Sequence, residues 1–403
     1  MIRAALLALT VLLLPRVAFA GETATVPKGA FVLDEGFLQS DLDARWDGDR
    51  KSAPLIDSIV RYEPGGGLQG TITANPAVRF RLLITKLYYG LTDNWMLAVA
   101  VPMVLSTHID ANLGWTAGDY QATLGRRYSE RDFWQWAGSL GQPKPASTWT
   151  GNKGQLADMI VGTRYRLPRV GVLKRLGLDV AGTLLVALPT GREADPEALL
   201  AAGTNTWELH SYGDVEAHVA VDRPFFKTGN ISRLSLGLDA YYAYFRPRTY
   251  TAPKGTLNPL LLDAQPYVGD HYTIDPGDWW VATALVELTP FIGPARSSFI
   301  SHHSLAVAEG YPALVQVQLG YSHIHCNPTT WKSDSALWDY QHDALWLDGD
   351  KNMLRAQLTV SLLRLGLPLQ LYGEYHNQSI IPGKYTRAAN TLSAGARIIA
   401  KFW

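Results

Sequence analysis

The sequence predicts an all-β protein, a transmembrane antiparallel β-barrel of about twelve strands, with about fourteen as the alternative count. Six stretches alternate apolar and polar residues at a period of two, as in Val215-Glu216-Ala217, and such a strand has one apolar and one polar face. Short connections alternate with long polar ones, and a secretion signal precedes the whole pattern. In a closed barrel of the bacterial outer membrane, the apolar face contacts lipid and the polar face lines the lumen.

Residues 1–20 have the three parts of a cleavable signal peptide. Arg3 supplies the positive start, residues 4–14 form the apolar stretch, and Ala18-Phe19-Ala20 is a small-residue cleavage site. An uncleaved anchor is the alternative, but an apolar stretch of about eleven residues is too short to cross a bilayer. The sequence therefore predicts a signal peptide at 1–20 and a single outer-membrane barrel domain at 21–403.

The composition narrows the class of protein further. After residue 20 the sequence contains no run of apolar residues long enough for a transmembrane helix. The formal net charge is zero, so no nucleic-acid partner is indicated. Cys326 is the only cysteine, so no intrachain disulfide can form. The 13 Trp and 19 Tyr residues suit the aromatic girdles of membrane barrels.

The first three strands are predicted at residues 31–45, 77–89 and 95–105, and the first of them is the least regular. In the second strand, the alternation assigns Val78, Phe80, Leu82 and Ile84 to the lipid and Arg79, Arg81 and Thr85 to the lumen. Between the second and third strands, Leu91-Thr92-Asp93-Asn94 is a tight turn. Asp and Asn suit it because they bond their own backbone and tolerate left-handed angles.

Strands four to eight are predicted at residues 157–167, 176–188, 214–222, 233–244 and 280–288. Charged residues share one face of these strands and Leu, Val or Tyr share the other, as with Asp239 against Leu238. Residues 291–313 are ambiguous and have room for one more hairpin. This stretch is the reason for the alternative strand count.

The last four strands are predicted at residues 315–322, 353–363, 369–377 and 391–403. In the final strand Leu392 and Ile398 alternate with Arg397 and Lys401. Barrels of this class usually end on an outward aromatic residue, and the chain ends Phe402-Trp403. Phe402 faces lipid in this phase. Trp403 falls on the face of Arg397 unless a bulge shifts the phase or the residue lies at the membrane interface.

The predicted connections form two classes. Short ones follow strands two, four, six, eight and ten, and long ones lie near residues 46–76, 109–155, 190–210, 248–277, 325–351 and 378–390. Short periplasmic turns and long extracellular loops are typical of an even-stranded barrel with both termini in the periplasm.

The polar faces of the predicted strands carry charges of both signs. The predicted pore-lining residues are Arg79, Arg81, Arg164, Arg166, Asp179, Asp214, Glu216, His218, Arg233, Asp239, Glu287, Gln316, Gln318, Arg355, Glu374 and Arg397. One interpretation is a hydrated pore in which facing charges set a transverse field and select solutes. The other is a lumen closed by salt bridges, since about twelve strands leave limited room.

The long loops are rich in tryptophan. The candidate loop aromatics are Trp134, Trp136, Trp331, Trp338 and Trp346. These rings either fold over the mouth and bind an apolar or aromatic solute, or pack among the loops and against outer-leaflet lipid. The second interpretation is favoured.

The sequence gives no indication of a metal or a cofactor. His323 and His325 share a strand face near Cys326, but no acidic residue or second cysteine stands at a diagnostic spacing.

Catalysis is not expected either. Ser301-His302-His303-Ser304 has the residue types of a hydrolase, but adjacent residues of a strand point in opposite directions. His218 has carboxylates nearby but no evident nucleophile.

Three short segments resemble a known family. They are residues 87–95, which read LYYGLTDNW and are followed by Val99-Ala100-Val101-Pro102, the Ala187-Leu188-Pro189-Thr190-Gly191 segment, and Ala30-Phe31-Val32-Leu33-Asp34-Glu35-Gly36. They are similar to features of the "MetA-pathway of phenol degradation" group of outer-membrane transporters, over about the first half of the mature chain. The resemblance implies a barrel and the transport of aromatic compounds, and it brings no active-site motif with it.

The expected function is therefore a passive outer-membrane channel for small, apolar or aromatic solutes, monomeric or weakly oligomeric. The expected partners are the lipid bilayer and the solute. Two alternatives stay open: a non-transporting structural barrel that acts through its surface loops, and an outer-membrane hydrolase.

Overall fold

The computed structural model describes most of the chain after the predicted signal peptide. The described residues are 23–55, 58–62, 66–119, 125–139, 144, 146–192, 213–228, 232–251, 269–291, 314–335, 349–365 and 367–401. Several predictions lie outside them: the signal peptide, a hairpin within 292–313, the 301–304 segment, Trp338, Trp346 and the terminal Phe402-Trp403.

Twelve long strands form a closed antiparallel barrel, which confirms the predicted fold class and strand count. They are β1 (Ala30–Trp46), β2 (Ala77–Thr92), β3 (Trp95–Asp110), β4 (Met159–Arg166), β5 (Asp179–Leu188), β6 (Asp214–Thr228), β7 (Ser232–Phe245), β8 (Trp279–Phe291), β9 (Val315–Cys326), β10 (Gly349–Ser361), β11 (Leu369–Asn377) and β12 (Thr386–Lys401). Each strand pairs with the next along the chain. The pairing of β12 with β1, from Ala30 opposite Lys401, closes the sheet.

The outward positions of the strands form an apolar belt. On β9, Val317, Leu319 and Tyr321 point outward in succession, and His323 and His325 follow them toward one end. Side chains of this kind remain exposed on the outer wall because lipid, not protein, is their apolar environment. The belt therefore ends in a Tyr and then a polar position, as expected at a membrane interface.

Both termini of the barrel and most of the tight connections lie at one end, which is the periplasmic end in barrels of this class. The β4–β5 connection contains α2 (Gly171–Leu176), and a 3₁₀ turn, Leu362–Leu365, lies between β10 and β11. One predicted short connection is wrong: β8 and β9 are separated by residues 292–314.

The other end carries the long connections, and these contain short strands. Ile59–Tyr62, Leu68–Ala74 and Leu113–Ala117 form one small sheet, and Arg248–Thr251, His271–Asp275 and Thr330–Ser333 form another. Ser52–Pro54 pairs antiparallel with β1, and Thr148–Gly151 and Gln155–Leu156 pair antiparallel with β3. The loop helix α1 spans Glu130–Ser139. In the described part of the chain, neither helix has the length and apolar character needed to cross a membrane.

Candidate functional site

The net charge of the inner wall differs in sign between two sides of the barrel. Inward carboxylates cluster on β5 to β8: Asp179, Asp214, Glu216, Asp222, Asp239 and Glu287. Inward cations cluster on β10, β12, β1 and β2: Lys351, Arg355, Arg387, Arg397, Arg45 and Lys86. These two groups of strands lie on opposite sides of the closed barrel. The charges therefore set up a transverse field across the lumen.

On the cationic wall, Asp34 is the centre of a buried network. Its Oδ2 accepts a hydrogen bond from Arg397 Nε at 2.9 Å and lies 3.6 Å from Lys86 Nζ, and its Oδ1 accepts one from Tyr372 Oη at 2.8 Å. Arg397 also lies over the Tyr372 ring, 4.2 Å from its centroid. One carboxylate is thus shared by two cations from β12 and β2, so these strands are tied together from inside the barrel.

Two glycines make room for this network. Gly36 and Gly395 are register partners on β1 and β12. A Cβ at Gly36 would lie 2.7 Å from Tyr372 Oη, closer than a Cβ can approach without displacing a neighbour. The missing side chains allow the Tyr372 ring to lie across both strands and reach Asp34.

A second buried cluster continues along the cationic wall. Arg355 on β10 forms an ion pair with Glu374 on β11, and His376 Nε2 lies 2.6 Å from the same carboxylate. Arg355 also donates to Gln357 Oε1 at 2.7 Å. All of these side chains are buried or nearly so, so they pack against one another instead of lining a wide water-filled channel.

On the opposite wall, a histidine lies between two carboxylates. His218 Nε2 is 2.9 Å from Glu216 Oε2 and His218 Nδ1 is 3.7 Å from Asp239 Oδ1, while the His218 ring stacks on Tyr241 at 4.3 Å. Both ring nitrogens face carboxylates, so neither is placed to accept a proton from a serine. The geometry is that of a lumen polar cluster rather than a hydrolytic triad.

Toward the extracellular end, the inner wall of β1 to β5 is apolar. The cluster consists of Leu38, Leu42, Leu55, Val78, Phe80, Leu82, Ile84, Ala100, Val104, Ile109, Ile160 and Ala389, with Leu185 and Ala187 packed against it. We call this set the apolar inner wall. It lies beside the charged networks that occupy the inner positions nearer the periplasmic end.

The apolar inner wall overturns two predicted pore-lining residues. Arg79 and Arg81 point outward from β2, where Arg79 Nε bonds Asp41 Oδ1 at 2.6 Å and Arg81 Nε bonds Gln39 Oε1 at 3.1 Å. They lie on the outer wall beyond the apolar belt, toward the extracellular end. The prediction assumed that the apolar face of β2 contacts lipid. In this half of the barrel the apolar face contacts the lumen, so the polar face lies outside.

The structure places the other predicted inner-wall residues as follows. On the inner face are Arg164, Arg166, Asp179, Asp214, Glu216, His218, Asp239, Glu287, Gln316, Gln318, Arg355, Glu374 and Arg397. Gln318 Nε2 donates to Glu287 Oε2 at 3.1 Å, and Asp179 bonds Arg169. The side chain of Arg233 lies outside the described residues.

A second apolar cluster lies at the extracellular end of β7 to β9, within the lumen. It consists of Tyr241, Ala243, Phe245, Trp279, Val281, Ile324 and Cys326. The ring centroids of Phe245 and Trp279 lie 5.1 Å apart, and Lys351 Nζ lies 4.8 Å from the Trp279 ring centroid. We call this set the aromatic cluster. The extracellular half of the lumen thus has apolar surface on both sides.

Residues 23–29 enter the periplasmic end of the lumen before β1 begins. Gly29 N bonds Gly90 O at 2.8 Å, and Val26 is fully buried against Tyr88, Met96 and Ile399. A Cβ at Gly90 would lie 2.0 Å from Pro27 O, so only glycine allows the segment this close to β2. We call residues 23–29 the N-terminal segment.

The far end of the N-terminal segment is anchored on β6. Thr23 N and Thr23 Oγ1 both donate to Asp222 Oδ2 at 2.7 Å, and Arg164 donates to Ala24 O at 3.3 Å. An extended chain from Thr23 to Ala30 spans about 24 Å. A barrel of this size has a diameter of about 24 Å. Because β1 and β6 lie nearly opposite each other, the segment crosses the periplasmic end of the lumen.

The described loop aromatics pack among the loops. Phe133 and Trp134 form an edge-to-face pair at 4.9 Å, Trp134 Nε1 donates to Glu130 Oε1, and Arg61 lies over the Trp136 ring. Trp331 belongs to the second loop sheet, but its side chain lies outside the described residues.

His323 and His325 do share a face, but it is the outer one. His325 Nδ1 lies 2.9 Å from Asp350 Oδ1, and His323 Nδ1 lies 3.0 Å from Asn352 Oδ1. Among the residues that the structure describes, no three metal-ligating side chains are grouped around one point.

Sequence reasoning missed several inner-wall residues, chiefly Asp34, Lys86 and Lys351. Lys86 carried a signal, because it interrupts the apolar face of Ile84 and Tyr88 with a charge. Asp34 had none, since the first strand was too irregular to assign faces.

No family model matches the chain, and no curated protein matches it. An outer membrane channel from Pseudomonas putida F1 is similar in structure, with a TM-score of 0.52, 10% identity, and coverage of 94% of this chain and 98% of its own. The toluene transporter TbuX from Ralstonia pickettii covers 94% and 90%, at 10% identity and a TM-score of 0.33. The translocator domain of autotransporter NalP from Neisseria meningitidis covers 98% and 93%, at 9% identity and a TM-score of 0.36.

The first of these likenesses shows the fold, and the two lower scores support no comparison of detail. The closed barrel, its outward apolar belt and this shared fold place the chain in the bacterial outer membrane.

Proposed function

We propose that this outer-membrane β-barrel is a passive channel for small apolar or aromatic solutes. The observation that carries the proposal is the apolar inner wall on β1 to β5, with the aromatic cluster on the other side of the lumen. Apolar surface inside a barrel favours an apolar solute over water, because transfer of the solute out of water is favourable. The aromatic part of the proposal rests on the resemblance of residues 87–95 to the phenol-degradation group.

The proposed route has a closed section at its periplasmic end. The N-terminal segment crosses the lumen there and is held to β6 through Asp222. Hydrogen bonds to a charged group contribute about 1.5–3 kcal/mol each. Few hydrogen bonds hold this segment, so it is displaced far more readily than a barrel strand. The segment is therefore the expected gate at the periplasmic end of the route.

A second candidate function is a structural barrel that does not transport. The burial of the Asp34 and Glu374 networks favours it, because paired charges that fill a lumen obstruct a route through it. The two functions differ in what release of the N-terminal segment does to ion flow.

The deciding experiment is single-channel recording of the refolded protein in a planar bilayer, with an Asp222→Ala variant beside the wild type. For a channel, we expect discrete current steps that grow in the variant, because Thr23 loses both of its bonds to β6. Benzyl alcohol, added as a small aromatic solute, is expected to reduce the current by occupying the lumen.

Asp179→Ala is the matched control. Asp179 is the register partner of Asp222, but it bonds Arg169 and not the N-terminal segment. Its removal takes away one inward charge and leaves the N-terminal segment anchored, so the current is expected to grow less than in Asp222→Ala. If neither the folded wild type nor the folded Asp222→Ala variant carries current, the channel proposal is overturned and the structural barrel is favoured.

A further inference from the structure

We infer that the extracellular end of the lumen holds a binding site for an organic anion, in which Lys351, Arg387 and Arg45 bind the anionic group and the aromatic cluster binds the apolar part. The inference rests on the proposed function, because it names a solute class for the same lumen. It adds the requirement that the solute carry a negative charge, whereas the proposed function specifies only an apolar solute.

Arg45 and Arg387 bring two positive charges to one point of the inner wall. They are register partners on β1 and β12, directly opposite each other in an antiparallel pair. Arg45 is buried and its Nε donates to Pro54 O at 2.5 Å. Like charges in directly opposed positions repel and destabilise a sheet. An anion beside the two guanidinium groups relieves that repulsion.

Lys351 adds a third cation on the neighbouring part of the wall. It is inward on β10 and 7% exposed. The adjacent Asp350 pairs through its backbone with Lys384, three residues before Arg387, so β10 and β12 approach each other at this end. The Lys351 ammonium contacts the face of Trp279 and, among the residues that the structure describes, forms no ion pair with a carboxylate. Asp350, the adjacent acid, points to the outer wall and bonds His325. A largely buried ammonium gains strongly from a charged partner.

The surroundings of Lys351 determine the class of anion. The ammonium lies against Trp279, and its register partner on β9 is Ile324, both members of the aromatic cluster. An inorganic anion would contact only the cations of such a site. An aromatic carboxylate would contact the cations and the aromatic cluster, with its carboxylate at the three cations and its ring against Trp279 and Phe245.

The test is a binding titration of the refolded, full-length barrel in detergent, followed by calorimetry. The probes are benzoate and benzyl alcohol, which share a ring and differ in charge. We expect benzoate to bind at least about tenfold more tightly, the ratio that one charge-assisted hydrogen bond supplies. Lys351→Met is expected to weaken benzoate binding by about tenfold and to leave benzyl alcohol binding unchanged.

Arg79→Gln is the control variant, because it removes a cation at the same end of the barrel but from the outer wall. It should bind benzoate as the wild type does. Arg387→Gln provides a second lumen variant in case Lys351→Met does not refold. The comparison of the two probes on the wild type needs no variant at all.

Equal affinity for the two probes, or undiminished benzoate binding by the lumen variants, would overturn the inference. Because the titration requires no transport, its result is independent of the channel recordings. Benzoate binding by a barrel that carries no current would leave the anion site standing and overturn only the channel. Currents without preference for benzoate would overturn only the anion site.

Discussion

Asp34 is the residue on which the charged section of the lumen depends. It is completely buried, and its two oxygens serve Arg397, Lys86 and Tyr372, which come from three other strands. Removing one partner of a buried ion pair is costly, because the remaining charge keeps its desolvation penalty without its attraction. Here two cations depend on a single carboxylate.

Asp34→Asn is therefore expected to destabilise the barrel by about 3–5 kcal/mol. The urea midpoint of unfolding, read from the gel shift between folded and heat-denatured protein, measures this loss. Asp41→Asn is the matched control, since Asp41 forms an exposed pair with Arg79, with both side chains 47% exposed. The control should lose less than about 1 kcal/mol. Similar losses in the two variants would contradict the buried network.

The loop helix α1 is an element with its own local support. Ser129 N and Ser129 Oγ donate to Asp132 Oδ2 at 2.8 and 2.6 Å, and Asp132 N donates back to Ser129 Oγ at 3.3 Å. This reciprocal arrangement is a capping box, which satisfies the free N–H groups of the first helical turn. Arg126 donates hydrogen bonds to both oxygens of the same carboxylate, from Nη1 and Nη2. The cap thus holds Phe133 in position against Ile72 of the loop sheet.

The hydrogen bonds from Arg126 and Ser129 hold the pKa of Asp132 well below its usual range. The stabilisation is therefore complete above the ordinary pKa of about 3.9 and is lost as the pH falls below it toward the lowered value. We expect Asp132→Asn to expose the tryptophans of α1 at pH 6, measured by acrylamide quenching of their fluorescence. The difference from the wild type should shrink steadily as the pH is lowered from 4 toward 2. Asp119→Asn, in an exposed pair with Arg127, should show no difference at either pH.

In the whole molecule, apolar side chains occupy two environments, the lipid outside the barrel and the packed interior of its lumen. Outward residues such as Leu238 and Leu319 are more than half exposed, because lipid surrounds them. Inward residues such as Phe80 and Val104 are buried in the apolar inner wall. The outer belt ends below Gln39 and Arg81, so its height limits where a charge on the outer wall is tolerated.

Leu238→Arg places a charge in the middle of the belt on β7 and is expected to cost about 2–4 kcal/mol. Gln39→Arg places the same side chain beyond the belt and is expected to cost about 0–1 kcal/mol. Refolding into lipid vesicles under increasing urea measures both. Equal costs would mean that the belt does not end where the outward polar residues begin.

The sequence determined the strands because the alternation of side chains is a local property. The runs around Val215, Leu238 and Val317 show period two without any knowledge of their neighbours, and all twelve strands were predicted close to their observed positions. On β5 to β8 the acidic side chains that the structure describes point inward, as the alternation indicates, because lipid accepts the apolar face there.

Only the tertiary structure decided which way β2 faces and what fills the periplasmic end. An apolar side chain is removed from water both by lipid and by a packed lumen. The alternation at Phe80 and Arg81 is therefore compatible with either orientation of the strand. Closure of the sheet and the height of the lipid belt select one of them. The contact of Thr23 with Asp222 joins residues 199 positions apart. No local pattern encodes such a contact, because it exists only once the barrel has closed around the segment.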